Sequence, residues 1–380
     1  MRVLCFGRFC DDLPGGIQSH VLSLLESLRN EVEFVNLVPA RNADSHRFTL
    51  ADGTPVIRTP GWNVDGSLVL SPGLALEARK LHRAKPFDLL HLHLPDPMSH
   101  LASLMIPATV PRIITWHAEI TRHRQLLKLY RPWQNRLLRE AKAIIVATSA
   151  HLAASVFAAP EIRDKARIIP FGFDLERFTT PHAKTAEIRA AYPGKRIFAL
   201  GRHVAYKGFD VLIEALTRLG PEVRLLLGGV GPLRETLERQ AARLGLKERI
   251  AFLGLIPEAD LPAYYQACDL FCLPSVSQAE AFGIVQVEAM AAGCPVVGTR
   301  LENGVNFVNQ DGITGLIVPP GDVTALSKAL EDLLTKETWR HELGVKAQQH
   351  ALKNFHKTRM AADTLALYRS AVLGETIGSQ

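Results

Sequence analysis

Two carboxylates eight residues apart, Glu280 and Glu288, mark the segment of this chain with the clearest chemical potential. Phe282, Gly283 and Ile284 lie between them, and the sequence predicts that a helix opens there and runs past Glu288. The first amides of a helix have no intrahelical partner and the helix dipole makes that end positive, so such an end binds phosphate. A carboxylate before it and another one turn inside would face the same volume, which suits a nucleotide sugar. Solvated glutamates on a loop and a helix are the alternative.

Two cations form a second candidate site, between a predicted strand and a predicted helix. Gly201 and Arg202 follow the strand, and Lys207 and Gly208 precede the helix. Arginine can clasp phosphate oxygens with two hydrogen bonds, while lysine acts as a point charge. The pattern predicts a diphosphate site, and its alternative is a pair of solvated loop cations.

Glycine turns follow two other predicted strands. Gly229 lies in the run Gly228–Pro232 and would let a ligand approach the backbone closely. Gly15 and Gly16 come between the first strand and the first helix, where Rossmann-like folds contact a phosphate or a sugar. The full GxGxxG spacing is missing, so a dinucleotide site is only weakly supported. A plain turn is the alternative in both places.

Three histidines stand at or near the ends of predicted strands: His91, His93 and His117. Imidazoles two residues apart on one strand face can bind zinc, but they more often satisfy local hydrogen bonds, so no metal site is predicted. His117 follows its strand directly, which makes it the better candidate for a polar contact with a ligand. The sequence has no DxD triplet, so a diphosphate leaving group would be neutralised by arginine, lysine and helix amides.

A basic amphipathic helix is predicted from Arg122 to Lys142. The net charge of +6 lies entirely in the first 173 residues, and this segment carries seven basic residues and one acid. Its apolar residues recur at helical spacing and share one face: Leu126, Leu127, Tyr130, Trp133, Leu137, Leu138 and Ala141. Either that face packs on the domain and the cations are solvated, or the helix contacts an anionic membrane, at about 1 kcal/mol per nearby cation. Nucleic acid is not expected, since the second half is neutral and no aromatic-interleaved motif occurs.

Strand-like apolar runs alternate with amphipathic runs of helix length along the chain. They fall at 3–6, 32–38, 89–93, 113–116 and 144–147, and then at 196–200, 223–227, 250–253, 270–273, 295–297 and 315–318. Such runs indicate parallel sheets covered on both faces. We therefore expect two doubly wound, Rossmann-like α/β domains, at 1–173 and 174–358, which face a ligand-binding interdomain cleft. The helix at about 359–380 is expected to pack back on the first domain.

The bulk composition fits a two-domain cytoplasmic protein. At 380 residues, with 47% apolar and 22% charged residues, the chain is too long for one ordinary core and globular in composition. It lacks a run of about 20 apolar residues, so no spanning helix is expected. The N-terminus lacks the pattern of a signal peptide. Five scattered cysteines without a CxxC pair indicate reduced thiols.

Taken in order along nearly the whole chain, these motifs resemble those of the retaining glycosyltransferases of the GT-B fold, family 4. The matching residues are Gly15–Gly16 with His20, His117, Gly201–Arg202 with Lys207–Gly208, Gly228–Pro232, the Glu280–Glu288 pair, and Asn309–Gly315 before Leu316–Asp322. The finer pattern, particularly Glu302–Gln310, is similar to that of bacterial mannosyl- and rhamnosyltransferases that build lipopolysaccharide O-antigen on a lipid carrier.

The resemblance implies roles for the candidate residues. The donor-binding set would be Gly16, Gly201, Arg202, Lys207, Gly229, Phe282, Gly283, Ile284, Val285 and Glu288. Within it, Arg202 and Lys207 would hold the diphosphate, and the amides of Ile284 and Val285 would bind phosphate and sugar. Glu288 would accept hydrogen bonds from the ribose. Glu280 would stabilise the developing positive charge of the donor sugar and His117 would bind that sugar; with Arg202 and Lys207 they form the catalytic set.

The resemblance also implies a reaction. Mannose or rhamnose would pass with retention from a GDP-sugar, or a UDP-sugar, to a lipid-linked or lipopolysaccharide acceptor at the inner face of the cytoplasmic membrane, without metal or cofactor. Front-face attack, in which the leaving phosphate takes the acceptor proton, fits the lack of an obvious enzymic base. The family's usual acidic or glycine pair is replaced by Glu302-Asn303-Gly304, which leaves the donor sugar open. A sugar-nucleotide epimerase of the same fold and a non-catalytic component of polysaccharide assembly are the alternatives.

Overall fold

The computed structural model describes residues 1–7, 16–40, 45–50, 53–64, 69–117 and 124–375. The chain divides into two compact units. The first comprises Met1–Phe173 together with Lys357–Gln380, and the second comprises Asp174–His356. Each unit is an α/β structure built on its own sheet.

The first unit is built on an eight-stranded sheet, in which seven strands run parallel. Its elements are β1 (Arg2–Phe6), β2 (Glu33–Pro39), β3 (Arg47–Thr49), β4 (Pro55–Thr59), a small hairpin of β5 (Trp62–Asn63) and β6 (Val69–Leu70), β7 (Leu89–Leu94), β8 (Arg112–Trp116), β9 (Ala143–Val146) and β10 (Ala166–Ile168). The order in the sheet is β10-β9-β8-β7-β1-β2-β4-β3, and only β3 runs antiparallel to its neighbour. The five apolar strands predicted for this region are all present.

Helices cover both faces of this sheet, which explains why its strands are apolar throughout. They are α1 (Gly16–Leu28), α2 (Gly73–Ala84), α3 (Pro97–Ser103), α4 (Arg124–Glu140) and α5 (Pro160–Arg163), with 3-10 turns at Ser149–Ala153 and Ser155–Ala158. Along β1, Val3 and Cys5 enter one core while Leu4 and Phe6 enter the other. A strand buried on both faces gains from an apolar side chain at every position.

The second unit is built on a six-stranded parallel sheet in the order β13-β12-β11-β14-β15-β16. Its strands are β11 (Lys195–Leu200), β12 (Val223–Gly228), β13 (Ile250–Gly254), β14 (Leu270–Leu273), β15 (Val296–Thr299) and β16 (Gly315–Val318). Its helices are α6 (Glu176–Thr179), α7 (Thr185–Ala191), α8 (Phe209–Leu216), α9 (Arg234–Arg243), α10 (Leu261–Ala267), α11 (Ile284–Ala291), α12 (Gly304–Val308), α13 (Val323–Thr335) and α14 (Glu337–Phe355). Two 3-10 turns, Ala205–Lys207 and Lys247–Arg249, complete it.

The last helix, α15 (Lys357–Leu373), belongs to the first unit. Met360, Leu367 and Tyr368 enter the same core cluster as Val21 and Leu24 of α1. The chain therefore leaves the first unit, builds the whole second unit and returns to complete the first core.

The motif from Asn309 to Gly315 has a structural role. Asn309 is fully buried, and its amide nitrogen lies 3.2 Å from the carbonyl oxygen of Val296 and 3.3 Å from that of Leu316. Thr314 donates to the amide oxygen of Asn309 at 2.9 Å. This asparagine thus links β15 to β16 inside the second unit.

The predicted basic helix is present as α4, although residues 122–123 lie outside the described residues. Gln134, Leu137 and Leu138 are buried. Trp133, which we expected on the packed face, is instead 61% exposed, and Leu129 is 70% exposed. At 100° per residue Gln134, rather than Trp133, lies in line with Leu137 and Leu138, so the tryptophan points outward with the cations.

Candidate active site

The carboxyl ends of parallel strands lie at one edge of a sheet, where ligands of doubly wound folds bind. In the second unit the residues that follow β11, β12 and β14 at this edge include Arg202, Gly229 and Glu280. In the first unit Gly16 lies after β1, at the start of α1, and His117 directly follows β8. Each unit therefore carries its predicted site residues on its carboxyl edge.

Lys207 and Glu280 form a buried ion pair in the second unit. The lysine Nζ donates to the carboxylate Oε2 at 2.5 Å, and each residue is only 8% exposed. Ser275 donates a second hydrogen bond to the same oxygen at 3.1 Å. The sequence nominated both charged residues independently, but their contact with each other across 73 positions of sequence is a structural finding.

The loop that carries Glu280 is held on both sides. The carbonyl oxygen of Ser275 accepts a short hydrogen bond from the Thr299 hydroxyl. Asn303 donates from its side-chain amide to the carbonyl oxygen of Glu280 at 2.6 Å, and its side-chain oxygen caps α12 by accepting from the amide of Val305 at 3.0 Å. Sequence reasoning missed the roles of Ser275 and Asn303, and the asparagine could have been found as a helix cap.

The helix after this loop begins at Ile284, within its predicted opening at Phe282–Ile284. Gly283 is the N-cap, with φ +69° in the left-handed region that favours glycine. The ring of Phe282 packs edge-on against Phe355 at 5.9 Å between centroids. Any ligand contact here would come from backbone groups, such as the first amides of Ile284 and Val285, rather than from the phenylalanine ring.

Glu288, one turn into α11, is held by neighbours that the sequence did not reveal. The hydroxyl of Tyr265, which is fully buried, donates to Oε2 at 2.8 Å. Arg177 lies 3.9 Å from the other oxygen, Oε1. Burial raises the pKa of this carboxyl to about 7, against the opposing effects of the Tyr265 hydrogen bond and the Arg177 charge. Its carboxyl group therefore titrates near neutral pH.

The glycine turns after β11 and β12 pack backbone against backbone. Gly229 has φ +105°, and a β-carbon on it would lie 2.0 Å from the carbonyl oxygen of Gly201. Its amide donates to the carbonyl of Gly254 at 2.7 Å. A glycine is required at position 229 by this packing, whatever ligand it meets.

Arg202 differs from the other candidate groups of the second unit because it is exposed. No ion pair joins Arg202 to another described residue. Of the two candidate cations of the second unit, Arg202 is therefore exposed, whereas Lys207 is buried and already paired.

The first unit brings His117 into a cluster of buried imidazoles. His93 Nδ1 lies 2.9 Å from His117 Nε2, and the ring of His20 lies 5.8 Å from that of His93 and 5.5 Å from that of His117. Burial lowers the pKa of His20 to about 4, and that of His93 well below its usual range. These two imidazoles are therefore neutral at physiological pH. Gly15 lies outside the described residues.

Two groups of three residues in the described chain could be considered for a metal: His20, His93 and His117, and Cys5, His91 and His93, each with ligand atoms within 4.8 Å of one another. The second group fits a metal poorly. Tyr368 and Thr115 already hold the two nitrogens of His91, at 2.6 and 2.7 Å. Burial raises the pKa of the Cys5 thiol to about 12, so the thiolate ligand is disfavoured.

Comparison with known proteins gives two matches to protein families. Residues 185–350 match the family described as Glycosyl transferases group 1, and residues 14–177 match Glycosyltransferase Family 4. The chain is 30% identical over 352 residues to D-rhamnosyltransferase WbpZ of Pseudomonas aeruginosa. The aligned residues cover 92% of this chain and 90% of that protein.

Two further relatives are mannosyltransferases. Phosphatidyl-myo-inositol mannosyltransferase of Mycobacterium leprae is 32% identical over 380 residues, with 97% of each chain covered. O-antigen chain mannosyltransferase C of Escherichia coli is 28% identical over 282 residues, with 74% of this chain and 75% of that protein covered.

The fold also matches solved structures. Anabaena HepE in complex with UDP superimposes with a TM-score of 0.79 at 22% identity, and the match covers 97% of this chain and all of that one. These comparisons confirm the predicted resemblance and the GT-B fold with two Rossmann-like domains. No helix in the described part of the chain is long and apolar enough to cross a membrane.

Proposed function

This chain belongs to the glycosyltransferases defined by the group 1 and family 4 models, and we propose that it moves mannose or rhamnose from a GDP-sugar to a lipid-linked saccharide. The observation that carries the proposal is the Lys207–Glu280 pair at the carboxyl edge of the second sheet, beside the first turn of α11. It combines a phosphate-binding cation, a sugar-facing carboxylate and a positive helix end. The relatives named as rhamnosyl- and mannosyltransferases support the sugar, and the O-antigen and phosphatidylinositol enzymes support a lipid-linked acceptor.

Binding of the donor would rearrange the ion pair. The diphosphate carries more negative charge than one carboxylate, so it would compete for Lys207 together with Arg202 and the amides of Ile284 and Val285. Glu280 would then be released from its cation and would face the sugar. The ribose hydroxyls would bind Glu288, whose Oε2 is already fixed by Tyr265. His117 would supply a further hydrogen bond to the sugar.

The proposed reaction needs neither metal nor cofactor. The bond between the anomeric carbon and the diphosphate oxygen breaks, and the acceptor hydroxyl oxygen forms the new bond on the same face. The leaving phosphate oxygen takes the acceptor proton. Lys207 and Arg202 stabilise the departing negative charge, and Glu280 stabilises the positive charge that develops on the sugar, so preorganised electrostatics supply most of the catalysis.

We further propose that α4 rests on the anionic inner face of the cytoplasmic membrane. Its outer side exposes Leu129 and Trp133 among the cations Lys128, Arg131 and Arg136. Tryptophan favours the headgroup region, and cations are attracted to anionic lipids. Such a placement would bring the enzyme to a lipid-linked acceptor.

Donor binding can be tested by thermal unfolding with GDP-, UDP-, dTDP- and ADP-sugars in the presence of EDTA. A donor at 100 times its dissociation constant should stabilise the fold by about 2.7 kcal/mol. We expect the shift with a GDP-sugar, lost in Arg202→Ala and kept in Arg243→Ala, which removes another exposed cation, at the end of α9. A shift with UDP-sugars alone would contradict the GDP donor.

Turnover distinguishes the remaining alternatives. We expect no change in the nucleotide sugar until a saccharide–lipid acceptor is added, and a glycosidic product with the anomeric configuration of the donor by NMR. Epimerisation without an acceptor would favour the epimerase. Full function of Glu280→Ala in the assembled pathway would indicate a non-catalytic component.

A further inference from the structure

One residue beside the candidate active site has a strained backbone. Glu302 has φ +54°, and in the part of the chain that the structure describes it is the one residue other than glycine with a positive φ. This left-handed conformation is disfavoured for any residue with a β-carbon, which crowds the carbonyl oxygen that follows it. Such strain persists only where the surrounding contacts impose it, and it concentrates at functional sites. Because glycine would be the least strained residue here, the glutamate side chain requires an explanation of its own.

Hydrogen bonds from one side chain hold Glu302 in this conformation. The side-chain oxygen of Asn306 accepts from the amides of Leu301 and Glu302, at 2.7 and 2.8 Å. The side-chain nitrogen of Asn306 donates at 2.9 Å to the carbonyl oxygen of Thr299, the last residue of β15. Asn306 therefore fixes the turn that follows β15, at the carboxyl edge of the second sheet.

The residues that follow Glu302 pack against the loop that carries Glu280. Asn303 donates to the carbonyl oxygen of Glu280 at 2.6 Å. A β-carbon on Gly304 would lie 2.3 Å from the carbonyl oxygen of Ala281. The turn after β15 and the loop after β14 are thus in direct contact, and Glu302 lies one residue from that contact.

The carboxylate of Glu302 is available to a ligand. Glu302 is exposed, and no ion pair joins it to another residue within the described ranges. Glu280, by contrast, is buried and paired with Lys207. An ionised carboxylate only accepts hydrogen bonds, and those that it accepts are stronger than hydrogen bonds between neutral groups. An exposed carboxylate beside the loop of Glu280 therefore suits a sugar hydroxyl.

We propose that Glu302 is a specificity-determining residue that accepts a hydrogen bond from one hydroxyl of the donor hexose. This rests on the proposed function, which places the donor sugar at Glu280. A site built to bind a hydroxyl discriminates against the analogue that lacks it, because the acceptor then has no partner. The run Glu302-Asn303-Gly304, which departs from the usual acidic or glycine pair, would accordingly set which hexose reacts.

Initial rates with GDP-mannose and with its 2-, 3-, 4- and 6-deoxy analogues test this role; the 6-deoxy analogue is GDP-rhamnose. Glu302→Gln keeps the size and the backbone constraint of the side chain and removes its charge. It should lower kcat/KM about tenfold or more for every donor that carries the contacted hydroxyl, as expected for a lost hydrogen bond to a charged group. For the one deoxy donor that lacks this hydroxyl, kcat/KM should be nearly the same in the wild-type protein and in Glu302→Gln.

Glu302→Gly separates the carboxylate from the turn. Glycine adopts a positive φ without steric cost, so this variant should remain folded in thermal unfolding and repeat the donor pattern of Glu302→Gln. The matched control is Glu331→Gln, which removes another exposed glutamate, on α13, and should leave every rate unchanged. Full turnover by Glu302→Gly, or an equal loss with all donors in Glu302→Gln, would overturn the role of Glu302 alone. If the wild-type protein transfers none of these sugars, the proposed function fails and the role of Glu302 fails with it.

Discussion

The two units carry parallel sheets of the same kind, yet the candidate groups discussed above differ in charge between their carboxyl edges. In the second unit the groups are charged or easily charged: the Lys207–Glu280 pair, and Glu288 with a pKa near 7. In the first unit they are imidazoles, and burial keeps His20 and His93 neutral. A diphosphate requires charge, whereas a sugar hydroxyl requires only hydrogen bonds. The comparison teaches that the same parallel architecture can present charged groups at one carboxyl edge and neutral imidazoles at another.

The largest expected effect comes from removing one partner of the Lys207–Glu280 ion pair. Lys207→Met leaves the Glu280 carboxylate buried without its cation, and we expect unfolding to become easier by about 3–5 kcal/mol. Chemical denaturation measures this change. Adding Glu280→Gln should restore most of the stability, because no unpaired charge remains, while transferase activity stays lost. A double variant as unstable as Lys207→Met alone would contradict the importance of the pair.

The next effect tests whether the packing of the two glycine turns after β11 and β12, rather than charge, holds Arg202 and Lys207 in place. Gly229→Ala should lower the free energy of unfolding by about 3 kcal/mol. An alanine at this position would have to adopt a positive φ, and its β-carbon would clash with the carbonyl oxygen of Gly201. Gly321→Ala is the matched control, because Gly321 has φ +76° but open space around it. Gly321→Ala should lower the free energy of unfolding by only about 1 kcal/mol. Equal losses of stability in the two variants would show that the packing of the two turns contributes little.

The titration of Glu288 makes the stability of the protein depend on pH. The pKa of about 7 in the folded protein lies above the usual value of 4.5, so the folded state binds an extra proton between these values. Stability should therefore fall as pH rises through this window, by about 2–3 kcal/mol, at roughly 1.4 kcal/mol per pKa unit. Glu288→Gln should flatten this part of the profile and be the more stable protein at pH 8.

Tyr265→Phe tests the same titration without changing Glu288 itself. It removes the hydrogen bond that opposes the rise in the pKa of Glu288, so the titration should move to higher pH. A stability profile that is identical in the wild-type protein and in Glu288→Gln would place the carboxylate in a more solvated environment than the structure gives it.

The sequence is sufficient to predict most strands of the two main sheets and to place candidate residues such as Arg202 and His117 after their strands. Apolar strands such as β1 and β14 are recognisable because they are buried on both faces, and glycines mark the turns that follow several of them. The contacts between side chains of the candidate site cannot be predicted from such patterns. Lys207 meets Glu280 across 73 residues, and Tyr265 meets Glu288 from another helix. Such contacts depend on which strands and helices become neighbours, and helical or strand periodicity carries no information about that.

Apolar spacing locates α4 in the sequence but assigns Trp133 to the wrong face of this helix. In α4 the buried line passes through Gln134, and Trp133 faces outward. A polar residue at a buried position hides the true face of a helix, because periodicity counts only apolar residues.

The smallest expected effect concerns the cations of the first unit, which lie on the surface of α4 rather than at the sheet edge. Lys128→Gln should weaken binding to vesicles with anionic lipid by about 1 kcal/mol, or roughly fivefold, and this loss should vanish at high salt. Trp133→Ala should weaken binding at any salt concentration, because the buried ring contributes apolar area rather than charge. The matched controls are Arg243→Gln in the second unit and Trp62→Ala, which removes another exposed tryptophan of the first unit. If these controls lose as much binding in a vesicle sedimentation assay, α4 is not the docking surface. If only the α4 variants lose binding, the membrane contact of the first unit lies on α4, apart from the imidazoles at its sheet edge.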